Sequence, residues 1–393
     1  MKTEFPPLKT MKIAVFAGDG ASGGLKGYIK GFLSACSVDT SVNVSVICTS
    51  NYAEYIKESI AENVKIIVAE SSALRLKDYI KGNSLSSEVI KIINEDKPDI
   101  VYFMNSVIPR GTENYVNIVG MHNQLYIDKE QLRRQKFGKT LISLYIQRHF
   151  ALKSIKKADA VVFDSNHSLK QCCDNRISAR KPIVALFGVE ESERNSAGHK
   201  KEIGNPIELL YISTIFPYKN QIDLVKGISI LKGRGYNIKL HLVGSGPQEY
   251  VDELKIEIQN LGLIDNVTMH SWVEHTKIKT MIDETDIFIY ASAIETSGFG
   301  LMEGMVRGAV IACNKESCMP EILGDGGLLF DVHDSQNTAD VLERLIKDSE
   351  LRELLSSKAL ATSEKYTWKN HARVIFDSFN QVLDERKTKD ESI

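Results

Sequence analysis

Residues 291–308 read ASAIETSGFGLMEGMVRG, and the fold is decided by what flanks the glycines in that stretch. The apolar run at 287–291 has the length and composition of a strand buried on both faces of a parallel sheet. A polar turn follows, then a short helix expected over residues 300–307, which Gly308 is placed to end. Gly298 and Gly300 leave the turn without side-chain bulk, so backbone N–H groups and the positive end of the helix dipole can approach an anion. Glu295 stands before the turn and Glu303 in the first turn of the helix. Carboxylates accept hydrogen bonds from hydroxyl groups and amides hold anions, so a ligand carrying both sugar hydroxyls and phosphate suits the combination.

Working outward, strands and helices alternate on both sides of this stretch, the pattern of parallel sheets covered on both faces. Near the N-terminus, residues 11–17 (MKIAVFA) run into GDGASGG, where Gly18, Gly20 and Gly23 fit a G-x-G-x-x-G turn ahead of a helix over 25–36. A dinucleotide-binding oxidoreductase is one reading of that turn. The next strand, 43–49, ends in CTSN, however, and offers no acid for an NAD ribose. His122 follows an apolar strand at 117–121, at the carboxyl end where open α/β sheets place their ligands. It lines a site or is structural. Lys219 lies in the loop after the strand at 208–213, close to a coming helix N-terminus, the position of a phosphate ligand. Asp283 and Asp286 sit at a helix end, where capping and solvation are expected rather than metal coordination; no metal site is expected anywhere in the chain.

At 393 residues the chain has room for two domains. They are expected at 1–190 and 207–367, joined by a polar linker at 191–206, with a last helix and tail at 368–393. The net charge of −2 gives no general reason to expect nucleic acid as a partner. Six cysteines without paired metal-ligand spacing read as core thiols in a reducing compartment. No apolar run is long enough to span a bilayer, and MKTEFPPLKT lacks the apolar core of a signal peptide, so a cytoplasmic protein is expected. Residues 129–157 hold nine Lys or Arg against one acid, Glu130, interleaved with apolar residues. Such a helix lies on an anionic membrane face, or packs its apolar stripe on its own domain and solvates the rest.

The pair Glu295 and Glu303 around GFG, with Lys219 in PYKN and the VGSGP segment at 243–247, resembles the signature of the family 4 GT-B glycosyltransferases. The resemblance is dense over residues 208–384 and sparse before them. It implies two Rossmann-like α/β domains whose parallel sheets face an interdomain cleft, the last helix crossing back to the first domain. It further implies retaining, metal-independent transfer from a nucleotide sugar, such as a UDP- or GDP-sugar, to a hydroxyl of a saccharide or lipid-linked acceptor, as in surface polysaccharide or lipopolysaccharide synthesis. The catalytic candidates it implies are Glu295, Lys219 and His122. The donor-binding candidates are Gly23, Gly24, Gly244, Gly246, Val273, Gly298, Phe299, Gly300, Leu301 and Glu303, with the nucleotide base against the loop that holds Val273. One departure matters: the family usually carries an arginine five residues before the lysine, where this chain has Thr214. That loss keeps open a non-catalytic nucleotide-sugar-binding module as an alternative.

Overall fold

The structure, a computed structural model, describes residues 10–18, 24–36, 41–57, 60, 62–69, 87–129, 132, 139–195 and 202–390. Gly20, Gly23, residues 196–201 of the expected linker and much of the 129–138 stretch lie outside the described residues. The chain forms two compact units, Met1–Gly188 with Thr367–Ile393, and Val189–Tyr366.

The first unit is built on a seven-stranded parallel sheet in the order β3-β2-β1-β4-β5-β6-β7. Its strands are β1 Met11–Gly18, β2 Val42–Cys48, β3 Val64–Val68, β4 Ile100–Phe103, β5 Val116–Met121, β6 Ala160–Phe163 and β7 Pro182–Val184. The inner strands β4, β5 and β6 are buried at every residue, which is why, Asn117 of β5 apart, their sequences are apolar without alternation. Phe16, Phe103, Val119, Met121, Val161 and Phe163 join Ala151 and Ile155 from the helix Lys139–Lys157 in the core. The last helix, Trp368–Asp390, belongs to this unit. A Cβ placed on Gly31 of the helix Gly24–Cys36 would lie 1.9 Å from Trp368 Cε2, so the indole occupies the space that glycine leaves.

The second unit carries a six-stranded parallel sheet in the order β10-β9-β8-β11-β12-β13. These strands are β8 Ile207–Ile212, β9 Ile238–Val243, β10 Val267–His270, β11 Ile287–Tyr290, β12 Ile311–Asn314 and β13 Gly327–Phe330. The order is that of a doubly wound dinucleotide-type sheet, reversing direction between β8 and β11. Ligands in such sheets bind beyond the carboxyl ends of the two strands at the reversal. Residues 291–308, with the GFG turn, leave β11, and the Lys219 loop leaves β8.

Candidate active site

The two loops at the reversal are fastened to each other by backbone and side-chain hydrogen bonds. Asn220 adopts a left-handed conformation (φ 56°) ahead of the helix Gln221–Gly233, and its Nδ2 donates to the Ala291 carbonyl at 2.9 Å. Ala293 N donates to the Tyr218 carbonyl at 2.9 Å, and the Tyr211 hydroxyl donates to the Lys219 carbonyl at 2.9 Å. These bonds fix the main chain on either side of the two charged candidates.

Lys219 Nζ forms an ion pair with Glu295 Oε1, the side chains 12% and 16% exposed. At that exposure an unpaired partner would be costly, so each charge stabilises the other. The hydroxyl of Tyr290 donates to the same Oε1 at 2.8 Å. Ser317 holds the glutamate's backbone: its Oγ accepts from Glu295 N at 3.0 Å and donates to the Glu295 carbonyl at 2.8 Å. Ser317 itself sits at φ 60°, a conformation uncommon outside glycine and asparagine. Neither Tyr290 nor Ser317 is among the sequence-derived candidates. Tyr290 ends an apolar run and reads as core; Ser317 lies 22 residues beyond Glu295 and reaches it only because β12 pairs with β11.

Gly298 is left-handed (φ 63°) and caps the helix Phe299–Val306, which starts one residue earlier than the sequence suggests. Glu303 is on this helix. Its carboxyl is pushed up to about 7, first by burial and then by the charge of Glu193, with Lys279 pulling it back. Glu193 in turn pairs with Lys279 at 2.7 Å. Asp283 is engaged by Arg307 Nε at 2.6 Å, and Asp286 accepts from Glu208 N at 2.8 Å. Both carboxylates therefore do more than the capping expected of them, and among the described residues no group of three His, Cys, Asp or Glu is arranged to hold a metal ion.

The GSGP glycines have a packing reason that the sequence does not reveal. A Cβ on Gly244 (φ 145°) would come 2.0 Å from the Ser213 carbonyl oxygen, and one on Gly246 would come 1.8 Å from that of Ile215. Ile215 N donates to Ser245 O at 2.9 Å, so the turn after β9 lies directly on the loop after β8. Pro247 is the N-cap of the helix Gln248–Asn260. Val273 follows β10 beside Trp272, which is 81% exposed.

In the first unit, Gly24 opens the helix after β1, and Gly18 is left-handed (φ 64°) at the end of that strand. His122 is buried. Its Nδ1 lies 2.8 Å from Asp164 Oδ1, and its Nε2 lies 3.4 Å from the Tyr102 hydroxyl. The chain of contacts continues through Tyr28 (3.0 Å from Tyr102) to His371 Nε2 (3.1 Å), whose Nδ1 lies 2.9 Å from the Leu186 carbonyl. Burial lowers the His371 imidazole to about 4, so it is neutral. The helix Lys139–Lys157 is two-sided. Arg148, Ala151, Ser154 and Ile155 face inward, Arg148 donating to the Tyr126 carbonyl, while Ile142, Tyr145, His149, Lys153, Lys156 and Lys157 are exposed. A separate cavity, lined by Lys65, Ile67, Ile92, Glu95 and Asp96 at the β3 edge, includes none of the candidate residues.

Residues 192–361 match the family described as Glycosyl transferases group 1. That match lies within the second unit. The chain is 24% identical across 167 residues to the O-antigen chain mannosyltransferase B of Escherichia coli, 41% of this chain and 42% of that protein. It is 26% identical across 195 residues to the D-inositol 3-phosphate glycosyltransferase of Arthrobacter sp. (strain FB24), 47% of this chain and 46% of that one. The chain spans about half the length of the curated relatives it matches. Among solved structures, the Anabaena HepE protein in complex with UDP and glucose superposes with a TM-score of 0.72 at 16% identity, covering 94% of this chain and all of that one. The GT-B fold is thus common to both.

Proposed function

We propose that the protein is a retaining, metal-independent glycosyltransferase of family 4, moving a hexose-type sugar from a nucleotide sugar to a hydroxyl of a saccharide acceptor. The observation that carries this reading is the meeting of Lys219 and Glu295 beside the GFG turn, at the reversal of the strand order. In this reading Lys219 and the backbone N–H groups from Gly298 to Leu301 take the diphosphate. Negative charge grows there as the glycosidic bond breaks, and donors already in place stabilise it without reorganisation. Glu295 accepts from hydroxyls of the donor sugar, and Glu303 from those of the ribose. The acceptor oxygen attacks on the face from which the diphosphate leaves, and the departing phosphate takes its proton. The Glu295 carboxylate is committed to Lys219 and Tyr290, an arrangement that suits holding hydroxyls better than nucleophilic attack.

The likeness to an O-antigen chain mannosyltransferase favours a surface-polysaccharide acceptor, lipid-linked in this reading. The exposed face of the helix Lys139–Lys157, with Ile142 and Tyr145 among basic side chains, favours peripheral contact with an anionic membrane. No helix of the described residues is long and apolar enough to cross a membrane. Sedimentation with vesicles of phosphatidylcholine alone and with added phosphatidylglycerol tests that contact: Ile142→Ser with Tyr145→Ser should weaken binding to the anionic vesicles, and equal binding by the variant would contradict it.

Thermal denaturation with UDP, GDP and NAD tests the reading as a whole. Stabilisation by UDP or GDP, with slowed hydrogen exchange over residues 213–221 and 295–303, is expected. Stabilisation by NAD alone would return the Gly18 turn to the centre and end this proposal.

A further inference from the structure

Glu295 meets two donors on one oxygen. Lys219 Nζ and the Tyr290 hydroxyl both reach Oε1, and neither contact engages Oε2. Under the function proposed above, Lys219 has a second task, because its ammonium must also face the diphosphate. When it turns to that charge, the glutamate would stay charged and nearly buried with one fewer donor. Tyr290 has no such competing task. Its ring is buried at 4% exposure, lies 6.0 Å from Tyr211 in an edge-on arrangement, and sits under the GFG turn, where a Cβ on Gly300 would come 3.1 Å from Tyr290 Cε2. Burial, and then the nearby Glu295 charge, hold the phenol well above its ordinary range, so it donates throughout the working pH range. Ser317 completes the hold by binding both the N–H and the C=O of Glu295 from a left-handed backbone that the next strand crossing supplies.

We propose that Tyr290 and Ser317 are positioning residues for Glu295: Tyr290 keeps the carboxylate aimed while Lys219 transfers its contact to the diphosphate, and Ser317 fixes the backbone from which that carboxylate projects. Oε2 is then the atom presented to the donor-sugar hydroxyls. Lys219 serves as a sensor of the leaving group, and the phenol is the contact that persists through the exchange. Neither residue touches the substrate, so their effects are transmitted entirely through Glu295. This inference rests on the transferase reading and adds to it the two side chains that make the glutamate usable.

The test is a mutant cycle on the full chain, using UDP-glucose and GDP-mannose as donor probes and UDP and GDP as sugar-free probes. Tyr290→Phe should lower kcat about 10- to 100-fold, the loss expected when a hydrogen bond to a charged group is removed. Its Kd for UDP or GDP should stay within about twofold of wild type. In a Glu295→Ala background the same change should cost nothing further, because residues that act through one group are not additive. Ser317→Ala, which leaves the phenol intact, repeats the cycle and decides the matter if Tyr290→Phe does not fold. Wild-type kcat in Tyr290→Phe or Ser317→Ala, or losses that multiply in the double variants, would overturn the proposal while leaving the transferase reading intact. A wild type that binds none of the four probes would instead overturn the transferase reading, and this inference with it.

Discussion

Glu303 is the group whose titration belongs inside the range where the protein would be assayed. Its carboxyl stands at about 7 in the fold against an ordinary value of 4.5, so the folded state holds a proton that the unfolded chain has already lost. Stability associated with this group is therefore present below about pH 4.5 and is lost as pH rises through about 7. Allowing for its partial exposure, the loss is on the order of 2 kcal/mol, and Glu303→Gln should be the more stable protein at about pH 8 by that amount in chemical denaturation. Binding should run the opposite way if Glu303 holds the ribose as proposed: its carboxylate form predominates only above about 7, so affinity for UDP or GDP should fall as pH drops to about 6, and Glu303→Gln should abolish that dependence. A pH-independent Kd in the wild type would contradict the ribose assignment. Glu295, Glu303 and Lys219 are legible in the sequence because charged residues stand out where apolar strands give way to glycine turns. Tyr290 and Ser317 are not, because a tyrosine at the end of a buried strand looks like core, and a serine's distance from Glu295 depends on strand pairing that no local pattern encodes.

The helix Trp368–Asp390 shows the same division between pattern and packing. Its apolar spacing is plain in the sequence, but its partner is set by a missing side chain at Gly31 and by the Gly188 backbone, where a Cβ would come 2.1 Å from Trp368 N. Two effects oppose each other in Gly31→Ala. Helix propensity favours alanine by about 1 kcal/mol, whereas overpacking against the indole costs roughly 1–3 kcal/mol. With the displaced atoms belonging to a rigid ring at 1.9 Å, the clash should win and the midpoint of unfolding should fall; an unchanged or raised midpoint would show that the helix is not seated there. His371 on this helix stays neutral down to about 4, while an unfolded imidazole takes up its proton near 6.5. Stability should therefore be whole above about pH 6.5 and decline by on the order of 2–3 kcal/mol as pH falls toward 4, and His371→Gln should flatten that decline. In the helix Lys139–Lys157 the inward residues Ala151 and Ile155 belong to the core, as one of its two sequence readings expects, and the outward face leaves Ile142 63% exposed.

Alternating strands and helices announce parallel sheets, yet the order of strands within a sheet is invisible in a single sequence. That order is what makes the site. Because the second sheet reverses between β8 and β11, Lys219 and Glu295 meet although they stand 76 positions apart in the chain, and the glycines of the β9 turn close against the β8 loop. The same rule explains why GSGP could not be interpreted from spacing: its glycines answer to Ser213 and Ile215 across the sheet, and alanine at Gly246 should disturb the fold of this unit before it disturbs any ligand. If a nucleotide sugar is cleaved in this protein, that reversal is where Lys219 and Glu295 would act on it. The direct measurement is transfer of labelled sugar from a panel of UDP- and GDP-sugars to an acceptor extract, comparing wild type with Lys219→Ala and Glu295→Ala. Losing a preorganised donor to a leaving group should cost about 100- to 1,000-fold in kcat for Lys219→Ala, with a comparable loss for Glu295→Ala; transfer at the wild-type rate in both variants would contradict the account.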